Sequence, residues 1–256
     1  GSVLTTVDYL DDNGNLVDSA ASQSLPMVSS GSFGGGSDGD IQRPQKFYQH
    51  IEQTNVQGIN AGLSMTGNQA YLDAINLLSN ADEYDINLIV TPGINDNMHN
   101  NITEKLLTMC EERGDVMTII DPVAFGKEIA NAVTEANDKD SSYGAMYWPW
   151  VQIADPATGR YVWVPQTVIM PGIYAFNDKV SAEWFAPAGL NRGGQEIVVQ
   201  AERKLTHSNR DELYEANVNP VATFPGEGVC VWGQKTLQKK SSALDRVNVR
   251  RLLINL

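Results

Sequence analysis

The sequence predicts an α/β protein with a mixed, mostly parallel sheet flanked by helices; an α+β arrangement is the alternative. Three observations carry this. Short apolar runs of strand length recur at 86–90, 116–120 and 145–150. Segments with apolar residues three and four apart separate them, at 68–78, 102–112 and 125–136. The intervals are long enough for the crossover of a dozen or so residues that adjacent parallel strands require.

In chain order, residues 3–10 alternate imperfectly, Asp11-Asp12-Asn13-Gly14-Asn15 supplies turn chemistry, and Leu16-Val17 can begin a return strand. The expectation is a β-hairpin at the end of an inserted β-rich domain, residues 1–30. Gly1-Ser2 reads as the scar of a cleaved tag. Residues 31–45, with Gly34-Gly35-Gly36-Ser37-Asp38-Gly39, read as a junction, and 46–256 as the main domain. There an amphipathic helix from Asn68 to Leu78 precedes a buried strand, Ile86 to Val90, closed by Thr91-Pro92-Gly93. A helix from Ile102 to Glu112 stops at Arg113-Gly114. The strand Val116 to Ile120 ends in Asp121-Pro122, and a third helix runs from Phe125 to Ala136. The aromatic run Tyr143, Tyr147, Trp148 and Trp150 then reads as a strand that buries its rings; a sugar-binding platform is the alternative.

Composition excludes several classes. The net charge is −13, and its distribution is uneven: residues 1–140 hold 21 acids against 6 bases, the remainder 10 against 12. An acidic body opposes direct nucleic-acid binding, which depends on Lys and Arg at phosphates. No apolar run approaches the roughly 20 residues of a spanning helix, so membrane insertion is not expected. Cys110 and Cys230 lie far apart without CxxC spacing, and buried free thiols are expected.

The search for chemistry yields little. In parallel sheets ligands gather at strand carboxyl ends, so Thr91-Pro92-Gly93 and Asp121-Pro122 are where an α/β hydrolase-like or nucleotide-binding site belongs. His99 is near enough to pair with Asp121, but no G-x-S-x-G elbow or other nucleophile accompanies them. The Gly-rich junction lacks the Lys-Ser/Thr of a phosphate loop, and Asp40 follows it instead. Asp38 and Asp40 alternate as calcium ligands do, without the closing acid. His50, His99 and His207 are isolated, so no helical zinc site is expected. Neither catalytic residue, cofactor nor metal is assigned.

From Ser141 onward, the ordered segments Ser142-Tyr143-Gly144-Ala145-Met146-Tyr147-Trp148-Pro149-Trp150, the turn Asp155-Pro156-Ala157-Thr158-Gly159, and Val164-Pro165 resemble those of the contractile phage tail sheath family, and the resemblance runs approximately from Gly34 to the last residue. Met170-Pro171-Gly172-Ile173-Tyr174-Ala175-Phe176-Asn177-Asp178 resembles the family helix, its proline falling at the first turn. Glu183-Trp184-Phe185-Ala186-Pro187, Asn191-Arg192-Gly193, Val218-Asn219-Pro220, Phe224-Pro225-Gly226-Glu227-Gly228, Val231-Trp232-Gly233-Gln234-Lys235-Thr236 and Val247-Asn248-Val249-Arg250-Arg251-Leu252 follow in the family's order. Gln234 departs from the small residue often found there.

The resemblance implies a structural subunit that polymerises as a helical stack of rings, hexameric by expectation, around a tail tube, with a baseplate and a tail terminator as further partners. It implies residence in the virion tail after assembly in the host cytoplasm, and no bond-breaking chemistry. It further implies that the family's terminal arms lie outside this chain, which is expected to stay monomeric. The basic end is the expected interface. Lys235, Lys239, Lys240, Arg246, Arg250 and Arg251 stand against Asp245 alone, and the guanidinium groups partly share a face if a helix begins at Val247. Trp232 follows a strand at Val229 between tight glycine turns and is a candidate anchor for a neighbour.

Overall fold

The computed structural model describes residues 66–256, and the side chains from residue 68 onward. The hairpin and the Gly-rich junction expected before residue 46 lie outside the described residues.

Five strands form the main sheet in the order β1-β2-β3-β7-β8: β1 (Leu88–Asn95), β2 (Met117–Asp121), β3 (Gly144–Trp148), β7 (Val218–Phe224) and β8 (Gly228–Val231). The first four pair in parallel, and β8 returns antiparallel to β7. The mostly parallel sheet expected from the sequence is therefore present. A second, three-stranded antiparallel sheet runs β5-β4-β6, from β4 (Val151–Ala154), β5 (Tyr161–Val164) and β6 (Val198–Ala201). The 155–159 turn joins β4 to β5. There the Asp155 carboxylate accepts from the Ala157 amide at 3.0 Å and the Thr158 hydroxyl at 2.5 Å, contacts that hold its pKa below the ordinary value.

Helices cover both faces of the main sheet: α1 (Thr66–Leu78), α2 (Asp96–Arg113), α3 (Ile129–Asn137), α4 (Gln166–Val180), α5 (His207–Glu215) and α6 (Val247–Ile254). Successive strand residues point to opposite faces, so Met117, Ile119, Ala145 and Tyr147 pack under Ile169, Met170, Ile173 and Tyr174 of α4. The alternate set, Ile120, Met146, Trp148 and Val218, packs under Leu107, Ala132 and Leu213 of the helices on the other side. Each large side chain taken wholly out of water contributes roughly 1.5–3 kcal/mol. Tyr147, Trp148 and Trp150 are buried in this core, which fits packing rather than an exposed sugar platform.

Several boundaries differ from the sequence reading. The strand expected to stop at Thr91 runs through Pro92 and Gly93 to Asn95. Its register with β2 breaks after Val90 and resumes at Asn95 opposite Asp121, and the edge position of β1 tolerates a proline that cannot donate. Helix α2 begins at Asp96 rather than Ile102, because the Asn95 side chain accepts from the Met98 amide at 3.1 Å; its backbone departs from helical angles at His99. Its end is as expected: Gly114, at φ 79°, donates to the Cys110 carbonyl at 3.0 Å. Helix α3 starts at Ile129, since Phe125 packs instead against Trp150 and Trp163.

Helix α4 starts at Gln166, which places Pro171 inside the helix and not in its first turn. Pro171 removes the bond its amide would give to the Thr167 carbonyl. The start of the helix is fixed by contacts outside it, described below.

Candidate functional site

The carboxyl ends of β1 and β2 do not form an open catalytic cleft around Asp121. That residue is 2% exposed, and both of its carboxylate oxygens accept from Thr167. His99, on the other side of the strand end, takes the Asn95 amide on Nδ1 at 3.3 Å. Beside it Asp96 is fully buried, pairs with Lys139 at 3.1 Å and accepts from the Thr103 hydroxyl; Lys139 also pairs with Glu104. Burial raises the Asp96 pKa against the opposing pull of Thr103 and Lys139. Among the described residues no group of three or more His, Cys, Asp or Glu is placed to hold a metal. Both cysteines are free and buried, and burial pushes the Cys110 thiol up to about 12 and the Cys230 thiol to about 11. Among the described residues no helix is long and apolar enough to cross a membrane.

The basic end is more informative. The side-chain amine of Lys235 donates to the Tyr214 carbonyl at 2.8 Å and lies 4.3 Å from the centre of the Tyr214 ring, and burial lowers its pKa. Arg246 donates to the Tyr214 hydroxyl at 3.1 Å and stands 3.5 Å from Asp245. Lys239 bridges to the loop after α3, its amide reaching Asp140 at 2.9 Å and its Nζ the Asn137 carbonyl at 2.5 Å.

Helix α6 begins at Val247, as expected, but its arginines turn inward. Arg250 is only 7% exposed; it stacks 3.9 Å from the Tyr143 ring centre and donates to the Ser142 hydroxyl at 2.5 Å. Arg251 makes a two-point contact with Asp178 at 2.8 and 2.5 Å and lies over Tyr174 at 4.6 Å. The planar, five-donor guanidinium suits this combination of stacking and forked hydrogen bonding. Asn248 and Asn255 add bonds to the Trp184 carbonyl and to Glu183. These groups clamp α6 to α4 and to the start of β3.

Lys240 and Trp232 remain directed outward. Trp232 is 43% exposed, with its ring 4.5 Å from that of Phe224, over which the Arg210 guanidinium lies 5.1 Å from the ring centre. The adjacent Gly233 is required by close approach, since a Cβ there would stand 2.9 Å from the Asn219 side chain. Asn219 ties the strands together by bonds to the Met146 and Lys235 carbonyls.

One surface escaped the sequence reading. Val168 and Phe176 of α4 are exposed, as is Ile197 at 64%, and a groove of about 220 Å³ runs between α4 and residues 194–197. The signal was present: Val168, Phe176 and Val180 widen the apolar arc of Ile169, Ile173 and Tyr174 beyond the part that the sheet covers. Apolar residues all round a helix indicate a second covering surface.

A family model described as the phage tail sheath protein central domain matches residues 66–237. The chain belongs to this family. Across 255 residues it is 27% identical to the tail sheath protein of Vibrio phage KVP40, covering 98% of this chain and 38% of that relative. The tail sheath protein of Enterobacteria phage T4 is 33% identical over 138 residues, 54% of this chain and 21% of that relative. The chain thus spans well under half the length of these curated sheath proteins. Among solved structures it is similar to the helical sheath of the anti-feeding prophage in the contracted state, with a TM-score of 0.56, 24% identity, and coverage of 74% of this chain and 49% of the other. Likeness to a chain of that prophage's baseplate gives a TM-score of 0.59 at 21% identity, covering 74% and 48%. These likenesses concern the fold.

Proposed function

We propose that this chain is the central part of a contractile tail sheath subunit that stacks helically in hexameric rings around a tail tube. The stack shortens on a baseplate signal and drives the tube through the host envelope during genome delivery. The observation that carries the reading is the match of the sheath central-domain family to residues 66–237, which span the main sheet and the three-stranded sheet. The tail tube, the baseplate and a tail terminator are its partners, and the host cytoplasm is where it assembles before residing in the virion tail. Direct nucleic-acid contact and membrane insertion have no part in it.

No hydrolysis enters the mechanism. A heterologous contact repeated without closure builds a filament, and the work comes from the free-energy difference between two packings of the same subunits, small for each and summed along the tube. The sealed position of Asp121, whose carboxylate is taken up by the start of α4, favours this over an α/β hydrolase-like enzyme. A sheath from a related contractile injection system is the second reading, favoured by the fold likeness to the anti-feeding prophage sheath.

Within the subunit, residues 46–256 form the core domain, 31–45 a junction, and 1–30 the end of an inserted β-rich domain. Limited proteolysis that cuts first inside 31–45 supports this division, and first cuts inside 66–256 oppose it. Lys240 and Trp232 contact a neighbouring subunit or the tube, joined there by Lys239; Lys235, Arg246, Arg250 and Arg251 support that surface from behind through the contacts already described. Electron microscopy of the complete polypeptide with its tube protein tests the whole reading. Hollow helical tubes are the expected result, and persistently dispersed particles across salt conditions would overturn it.

A further inference from the structure

Asp121 ends β2 with its side chain on the α4 face, the face that Met117 and Ile119 also line. The Thr167 amide donates to Oδ1 at 3.2 Å, and the Thr167 hydroxyl donates to Oδ2 at 2.5 Å. Thr167 is the second residue of α4, so a carboxylate from another element caps the helix start, where the preceding Pro165 offers no side-chain acceptor. Gln166 extends the contact: its Nε2 donates to the Pro149 carbonyl at 2.8 Å, and its Oε1 accepts from Gln195 at 2.9 Å. Asp121, Gln166, Thr167 and Gln195 are all buried. One polar joint therefore links β2, the turn into the three-stranded sheet, the start of α4 and the segment before β6.

No cation faces this carboxylate among the described residues. β1, β2 and β3 carry no other charged side chain, and Asn95, opposite Asp121 in the β1 register, is uncharged. On α4 the charged residues are Asp178 and Lys179, about 18 Å along the helix at 1.5 Å per residue. Arg251 of α6 pairs with Asp178 at that distant end, and Arg250 with Ser142. On the opposite face of the sheet α2 presents Asp96 and His99, the first paired to Lys139 and the second holding the Asn95 amide. Beyond Trp150, Glu202 accepts from the Gly126 amide, and the charged Asp155 and Arg160 of the second sheet stand at its turn. Glu196, next to Gln195, is exposed.

We infer that Asp121 is a proton-operated joint: with its proton bound the start of α4 seats against β2 without burying a charge, and loss of the proton leaves an uncompensated buried carboxylate that disfavours the seated arrangement. A carboxylate buried without a counter-ion is unfavourable, and two donors with a helix N-terminus offset the cost only in part. Burial accordingly lifts the Asp121 carboxyl to about 7, against the lowering by the Thr167 hydroxyl and the Thr167 and Gln166 amides. Because the folded pKa is raised, the stabilisation is complete below the ordinary aspartate range near 4 and is lost as pH rises through about 7.

Carboxyl-carbon NMR of the 256-residue chain reads the proton directly. The expected result is an Asp121 signal titrating with a midpoint of about 7, the Thr167 and Val168 amide shifts moving with it. Urea denaturation at pH 5.5 and 8.5 reads the consequence: the midpoint falls at the higher pH, and Asp121→Asn loses most of that fall. An Asp121 signal that titrates with the exposed carboxylates near pH 4, or Thr167 and Val168 amides that do not follow it, overturns the inference; so does an Asp121→Asn protein with an undiminished fall. The NMR titration needs no variant, so it decides the matter even if the substituted chain does not fold.

Discussion

Helices α4 and α6 lie side by side and are held by different forces. Helix α4 buries Ile169, Met170, Ile173 and Tyr174 against the sheet, a non-directional attraction proportional to apolar area. Helix α6 buries Val247 and otherwise depends on Arg250, Arg251, Asn248 and Asn255, whose bonds require one orientation. The first arrangement holds its element chiefly by apolar area; the second holds it by a few directional, charged contacts that salt can weaken.

The largest expected effect lies in α4. Met170→Ala removes a fully buried side chain, and a loss of about 2–5 kcal/mol in unfolding free energy is expected from urea denaturation. A loss under about 1 kcal/mol would mean that the α4 interface is loose and the contrast with α6 false. Arg250→Ala should cost less, about 1.5–3 kcal/mol, by leaving Ser142 and the Tyr143 face without their partner. Arg250→Lys should recover only part, because an ammonium cannot reproduce the planar stacking on the Tyr143 ring. Full recovery would show that charge alone holds the helix.

A smaller effect, about 0.5–1 kcal/mol, is expected for Arg251→Ala, whose Asp178 partner is partly solvated. A double-mutant cycle with Asp178→Asn in low and high salt should show a coupling that shrinks with ionic strength. Salt-independent coupling would place this pair with the buried contacts of α4. Smallest in stability, within about 0.5 kcal/mol, should be Lys240→Glu and Trp232→Ala, made in the complete polypeptide. Their effect is expected in tube formation counted by electron microscopy, and unchanged tubes would remove both residues from the proposed contact.

Much of the parallel sheet was legible because its strands are buried on both faces and so read as continuous apolar runs, such as Thr118-Ile119-Ile120 and Ala145-Met146-Tyr147. The second sheet was harder to find. Its strands have four residues each, and β6, Val198 to Ala201, lies far along the chain from β4, with a register shift between them. The start of α4 was misplaced because a partner distant in sequence sets it: Asp121 holds Thr167 across 46 positions, and no local pattern announces that contact. The basic residues were found by composition, whereas their directions were not. Arg250 beside Ser142 and Arg251 beside Asp178 are separated by 108 and 73 positions.

The sequence by itself determined the alternation of strands and helices, the free buried thiols and the ordered segments that mark the sheath family, because periodicity and residue type are local properties of the chain. Only the tertiary structure decided which charges meet each other and which face solvent. Arg250 and Lys240 carry the same formal charge, yet one lies against a tyrosine ring and the other points outward. That distinction depends on packing between elements far apart along the chain, where burial and a partner's geometry, rather than composition, fix the energy of a charge.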